Sequence, residues 1–179
     1  MLFLASLASI FLVATPEQTN SNCTQLFGTC SWYKDCVQAR YPTCTSPSDY
    51  PPIAYTICNR YEKQLHLFSE GAQRWVNRTK LCLQQALLPY VEENGTALTC
   101  EHLREKAFDT HVPCYADCGF CKISFGDYFR VLDVIAPAFS TEFGELMKEV
   151  VRILWKCFTG DRPEVSRNCY DSSKTHTGA

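Results

Sequence analysis

Cys114, Cys118 and Cys121, spaced C-x3-C-x2-C, are the residues of this chain best placed to do chemistry. As thiolates, with His111 just upstream, they could form part of a zinc site, which needs four Cys or His ligands when it is structural. The same thiols can instead oxidise to bridges. Twelve cysteines is an even number and several times ordinary usage; in an exported chain it reads as six disulfides, with no metal and no cofactor. Sequence alone leaves on the order of ten thousand pairings open for such a set.

The other reactive groups form no site. His66, His102 and His176 have no arrangement with a Ser, Cys or carboxylate that suggests a nucleophile and its base. Glu92, Glu93 and Asp161 lack the regular spacing of a calcium loop. No glycine-rich phosphate cradle, nucleophile elbow or paired-acid signature occurs, so an enzyme is not expected. The formal net charge is -2, the pI is near 6.1, and the Lys and Arg residues are scattered, which sets nucleic-acid binding aside.

The bridge reading needs an export route, and the amino terminus offers one. Residues 1–15 are apolar and uncharged, and a polar stretch follows. The run is short of the roughly 20 residues that span a bilayer and fits the apolar core of a signal peptide over 1–19, cut somewhere in 14–19. No Lys or Arg follows Met1, and Pro16 sits close to the cut. No second such run exists, so the mature chain is expected to be secreted, extracellular and without a membrane anchor. Three N-glycan sequons begin at Asn22, Asn77 and Asn94. Asn94 lies in a loop-like EENGT stretch, whereas Asn22 is followed by Cys23.

These cysteines must be held by helices. Apolar residues recur at three- and four-residue steps through Leu65, Phe68, Ala72, Trp75 and Val76, then Leu83, Leu87, Tyr90 and Val91, the pattern of helices that bury one face. Four helices are predicted near 57–70, 74–91, 99–112 and 139–158, with a fifth segment over 124–136 closed by Pro137. Thr99 is the expected cap of the third, and Ser140 or Thr141 of the last. Residues 20–57 read as short helical turns pinned by bridges, with Pro51 and Pro52 forbidding a continuous helix there. The expected class is all-α, a disulfide-stapled domain of four to five helices over 20–158, followed by a polar tail over 159–179.

Between Cys58 and Cys82 the spacing is C-x9-F-x6-W-V-x5-C, carried by Phe68, Trp75 and Val76. Cys114 and Cys121 then frame CYADCGFC, and Cys157 closes EVVRILWKC. This set of ten ordered cysteines, from Cys23 to Cys157, resembles the stanniocalcin family of secreted helical glycoprotein hormones. The resemblance implies the pairs Cys23–Cys36, Cys30–Cys58, Cys44–Cys100, Cys82–Cys114 and Cys121–Cys157. It leaves Cys118 and Cys169, which have no family counterpart, to each other. It also implies a protein-binding role, either hormonal, on calcium and phosphate transport, or inhibitory, on a large pappalysin metalloprotease. The chain departs from the family in lacking a sequon between Cys36 and Cys44 and in its short tail, which lacks the cysteine that joins family subunits. The partner is thus expected to be an extracellular protein, receptor or protease. A covalent dimer is not expected, and noncovalent pairing stays open.

A second reading belongs to another class. Cys114-x3-Cys118-x38-Cys157-x11-Cys169 overlaps the middle of the insect odorant-binding pattern, without its final C-x8-C, and an aromatic content of 13% could line a cavity. A secreted helical carrier of small apolar ligands is therefore the alternative. An apolar cavity in place of a filled core is the feature that would favour it.

Overall fold

Pro51 and Pro52 begin a helix instead of blocking one. The computed structural model describes residues 23–92, 97–159 and 169, so the expected signal segment, most of the tail, Asn22 and Asn94 lie outside the described residues. Helix α1 runs Tyr50–Gln64 with both prolines in its first turn. There the backbone N–H groups have no helical acceptor, and proline's fixed φ is already helical. The expected start near Ile57 is thus too late. Before α1, a 3-10 turn over Cys23–Leu26 and a π-helical turn over Tyr33–Gln38 are the expected short turns.

Helix α2, Glu70–Val91, also starts before its expected position, because Ser69 accepts a hydrogen bond from Ala72 N and caps it. Helix α3, Cys100–Asp117, is capped by Thr99 as expected, and continues past residue 112 through Pro113. Helix α4 is Phe125–Phe158. Its cap is Ser124, in a reciprocal capping box with Asp127, so the expected caps at Ser140 and Thr141 are not helix starts. No strand occurs among the described residues. The domain is all-α and stapled by disulfides, with four α-helices among the described residues.

Helix α4 cannot be a straight rod. Thirty-four helical residues would reach about 50 Å at 1.5 Å each, yet Cys121, four residues before α4, is bridged to Cys157 with Cα atoms 5.2 Å apart. The helical path therefore folds back after the arm that carries Val131 and Val134, and a return arm brings Ile153 into the same apolar cluster. Pro137 lies between the arms and removes the N–H that would have satisfied the carbonyl of Asp133. Arg60 of α1 supplies the replacement. Its Nη2 donates to Asp133 O at 2.7 Å and its Nε to Val134 O at 2.8 Å. Arg60→Met keeps the stem but loses both donors, and should cost about 1.5 to 3 kcal/mol, the range for hydrogen bonds from a charged group. The denaturation midpoint in urea reads this, and an unshifted midpoint would show that the guanidinium does not hold the bend.

Six bridges close the domain: Cys23–Cys36, Cys30–Cys58, Cys44–Cys100, Cys82–Cys114, Cys118–Cys169 and Cys121–Cys157. These are the pairs that the resemblance implies, together with the pair left over. Their Cα separations run from 5.1 to 5.9 Å, inside the distance a disulfide requires. All twelve cysteines are paired within the chain.

The interior divides in two. One cluster joins the amino-terminal turns to α1, the end of α2 and the start of α3, around Trp32, Val37, Leu87 and Leu103, each fully buried. The other joins the start of α2 to both arms of α4, around Ala72, Trp75, Phe120 and Val134. Gln84 of α2 pins the amino-terminal segment, accepting from Gly28 N at 2.7 Å and donating to Thr29 O at 2.8 Å. Gly28 sits at φ +80°, where a side chain would be strained. At the other end, the buried carboxylate of Asp127 ties α4 to α2, accepting from Ser69 N at 3.0 Å and Ser69 Oγ at 2.6 Å.

Candidate functional site

Where the two clusters approach one another they do not fill the space between the four helices. A cavity of about 590 Å³ remains, with walls that are overwhelmingly apolar. Tyr33 and Tyr50 of the first cluster line it, as do Trp75, Phe120, Val131 and Ile153 of the second. The volume is in the range of small-molecule sites. Helices α1 and α2 form one wall, where Trp75 meets Tyr61 edge-on at 6.2 Å between ring centroids.

A few polar groups interrupt the apolar lining. Thr79 and Tyr61 are among the lining residues, but Thr79 Oγ1 and Tyr61 Oη are themselves sealed away from the cavity, with no well-formed hydrogen bond among the described residues. Tyr61 Oη faces the Tyr115 hydroxyl, but no hydrogen bond of good geometry closes between them. Burial pushes the Tyr61 and Tyr50 hydroxyls well above the usual phenol range and that of Tyr115 up to about 12. His111 is driven the other way, down to about 4, because burial disfavours its cation more than its backbone hydrogen bonds favour it. Its Nδ1 lies 2.8 Å from Ala107 O; a carbonyl only accepts, so Nδ1 carries the proton and Nε2 is left as an acceptor. At neutral pH these groups are all uncharged.

Two further residues on the lining are charged and paired. Lys80 is held by Glu62 of α1, and Glu149 accepts from Arg152 at 2.9 Å. Arg104, also on the lining, has an interaction of its own. The mouth is rimmed by α4, whose Phe125, Phe129 and Phe158 line the cavity yet are 76%, 59% and 82% exposed. Phe125 and Phe129 pack edge-on at 5.0 Å. Val151 and Trp155 extend this exposed apolar face along the return arm.

The residues singled out in the sequence fall elsewhere. Cys114, Cys118 and Cys121 are bridged to three separate segments, and His111 Nδ1 is spent on Ala107 O, so this set does not form a zinc site. Cys30, Cys58 and Glu62 also converge, but the two sulfurs are bonded to each other and Glu62 holds Lys80. Asn77 is exposed on α2, open to a glycan. Thr79, the third residue of that sequon, is buried on the cavity side. A hydroxyl one turn from Trp75 and Leu83 on an apolar face was the available signal for it, and the sequon masked it.

Fold and site together define a class: an all-α, six-disulfide domain built around an apolar cavity with neutral hydrogen-bonding groups. Compared with family models, curated proteins and solved structures, the chain matches none of them.

Proposed function

We propose that the chain is a secreted, stanniocalcin-like regulator that acts by binding another extracellular protein. The observation that carries this reading is the cysteine pairing. Five pairs taken from the resemblance, and the sixth left over, all have bridging geometry, out of on the order of ten thousand possible pairings. The absence, among the described residues, of any helix long and apolar enough to cross a membrane agrees with a free extracellular chain. The apolar face of α4 is the surface best suited to a partner, since aromatic residues anchor protein interfaces.

The test is direct binding of the glycosylated, oxidised chain to a pappalysin metalloprotease, alongside calcium and phosphate transport across an epithelial layer. A stable complex with the protease or a change in transport is expected. Trp155→Asp with Phe158→Asp should weaken the effect at least about tenfold, as loss of a hot spot does, while the helical circular dichroism is kept. Absence of both a complex and a transport effect would overturn the reading.

One observation favours the second reading, a carrier of small apolar ligands: the cavity itself. The two readings are compatible, because the cavity lies inside the domain and the bridges hold its walls.

A further inference from the structure

The mouth of the cavity and the exposed apolar face of α4 form one continuous surface. We propose that this face docks onto an anionic lipid bilayer and turns the mouth toward the acyl chains, so that an apolar ligand enters or leaves without crossing water. This inference rests on the carrier reading.

The apolar side chains come first. Of the ten large hydrophobic side chains exposed among the described residues, eight belong to α4. On the outgoing arm Phe125, Phe129 and Leu132 recur at steps of four and three. On the return arm Met147, Val151, Leu154 and Phe158 do the same, with Trp155 beside them. Each arm thus carries an outward apolar stripe besides the one it buries in the core, and a patch of this kind marks an interaction site. Phe125, Phe129, Leu132, Leu154 and Phe158 also line the cavity, so the stripes are its rim. A protein partner would account for the exposed side chains alone. A bilayer also accounts for their place around the entrance to an apolar cavity, because the rim would sit where apolar molecules are dissolved.

The charges favour an anionic surface. Arg130, Lys148 and Arg152 are exposed, and each stands one position after a residue of the stripes, Phe129, Met147 or Val151, about 100° further round the helix. The cavity lining continues on the opposite side of each stripe, through Tyr128 and Ile135 on one arm and Val150 and Cys157 on the other. The cations therefore edge the face away from the mouth. Lys122, just before α4, is a fourth exposed cation. Glu149 offsets Arg152; of the acidic side chains described between Lys122 and Phe158, only Asp133 is exposed, and it is paired with Arg60. The face is apolar in the middle and cationic at its edges, although the whole chain has a formal charge of -2. Apolar side chains that enter the headgroup region and cations that meet anionic heads are the two parts of interfacial binding.

The test uses the full secreted chain and flotation with vesicles of phosphatidylcholine, alone or mixed with phosphatidylserine. The chain should float with the mixed vesicles, and less so as salt is raised, since salt screens exposed charges. Arg130→Gln with Lys148→Gln should weaken this binding at least about tenfold, at roughly fivefold per cation. Val151→Ser with Trp155→Ser should also weaken it at least about tenfold. Neither Val151 nor Trp155 lines the cavity, so the apolar dye N-phenyl-1-naphthylamine should bind this variant in solution as it binds wild type. The charge variant carries the test should the serine variant fail to accumulate. Orientation has its own reporter. Of the three tryptophans, Trp32 and Trp75 are 0% and 2% exposed and Trp155 is 69% exposed, so brominated acyl chains should quench Trp155, and the quenching should vanish in Trp155→Phe. If no dye binds in solution, the carrier reading and this inference both fall. If dye binds but the chain does not float, floats with Trp155 unquenched, or buries this face in a dimer instead, the carrier reading stands and the docking surface is overturned.

Discussion

Replacing Cys82 by Ala should abolish secretion of folded protein. The Cys82–Cys114 bridge joins the middle of α2 to the last turns of α3 across 32 residues of sequence, and both helices contribute cavity wall. Closing a loop of that length in the unfolded chain is worth about 3 to 4 kcal/mol in the chain-entropy account. Domains of this size have a margin of about 5 to 15 kcal/mol, so the loss takes a large part of it. The single variant also strands Cys114, 2% exposed, as a free thiol able to exchange with neighbouring bridges during folding. The double variant Cys82→Ala with Cys114→Ala removes that hazard and isolates the stability term. It should be secreted poorly and melt about 10 °C lower, at roughly 2 to 4 °C per kcal/mol for a domain of this length. Normal yield and an unchanged melting temperature would show that α2 and α3 are held together without the staple.

Asp127→Ala should cost about 2 to 3 kcal/mol, a large effect for a single polar side chain. Its carboxylate serves two helices at once. It completes the capping box of α4, with Ser124 N at 3.2 Å and Ser124 Oγ at 2.6 Å, and it takes both donors of Ser69, the cap of α2. A lost cap is worth about 0.5 to 2 kcal/mol, and hydrogen bonds to a charged acceptor about 1.5 to 3. The same geometry gives a pH dependence. Burial alone would raise the Asp127 pKa, but the hydrogen bonds from Ser124 and Ser69 outweigh it and lower the pKa below the ordinary carboxylate value. A folded-state pKa below the unfolded one means that the stabilisation is fully present above the unfolded value, about 3.9, and is lost as pH falls through the folded value. Melting curves taken from pH 6 downward, at acid pH steps, should therefore converge for wild type and Asp127→Asn once the carboxylate is protonated. Parallel curves with a constant gap would rule out ionisation as the source.

What the sequence alone determined about this protein was local or arithmetic. The three- and four-residue apolar spacing from Ala72 to Val91 announces a helix because a helix brings those positions onto one face whatever surrounds it, whereas Leu65 and Phe68, read into the same pattern, fall in the 3-10 turn and extended link between α1 and α2. Thr99 is legible as a cap because its acceptor role is completed three residues away, at His102 N. The even cysteine count pointed to complete internal bridging, and the resemblance narrowed the pairs. The tertiary structure decided the rest. Pro51 and Pro52 break a helix or start one depending on what lies before them, and burial of Tyr50 and Pro51 against the amino-terminal segment makes them a start. Pro137 orphans the carbonyl of Asp133, and the group that takes it belongs to Arg60, 73 residues away in sequence. The cavity exists only where the faces of four helices fail to meet. No periodicity within one helix records that gap.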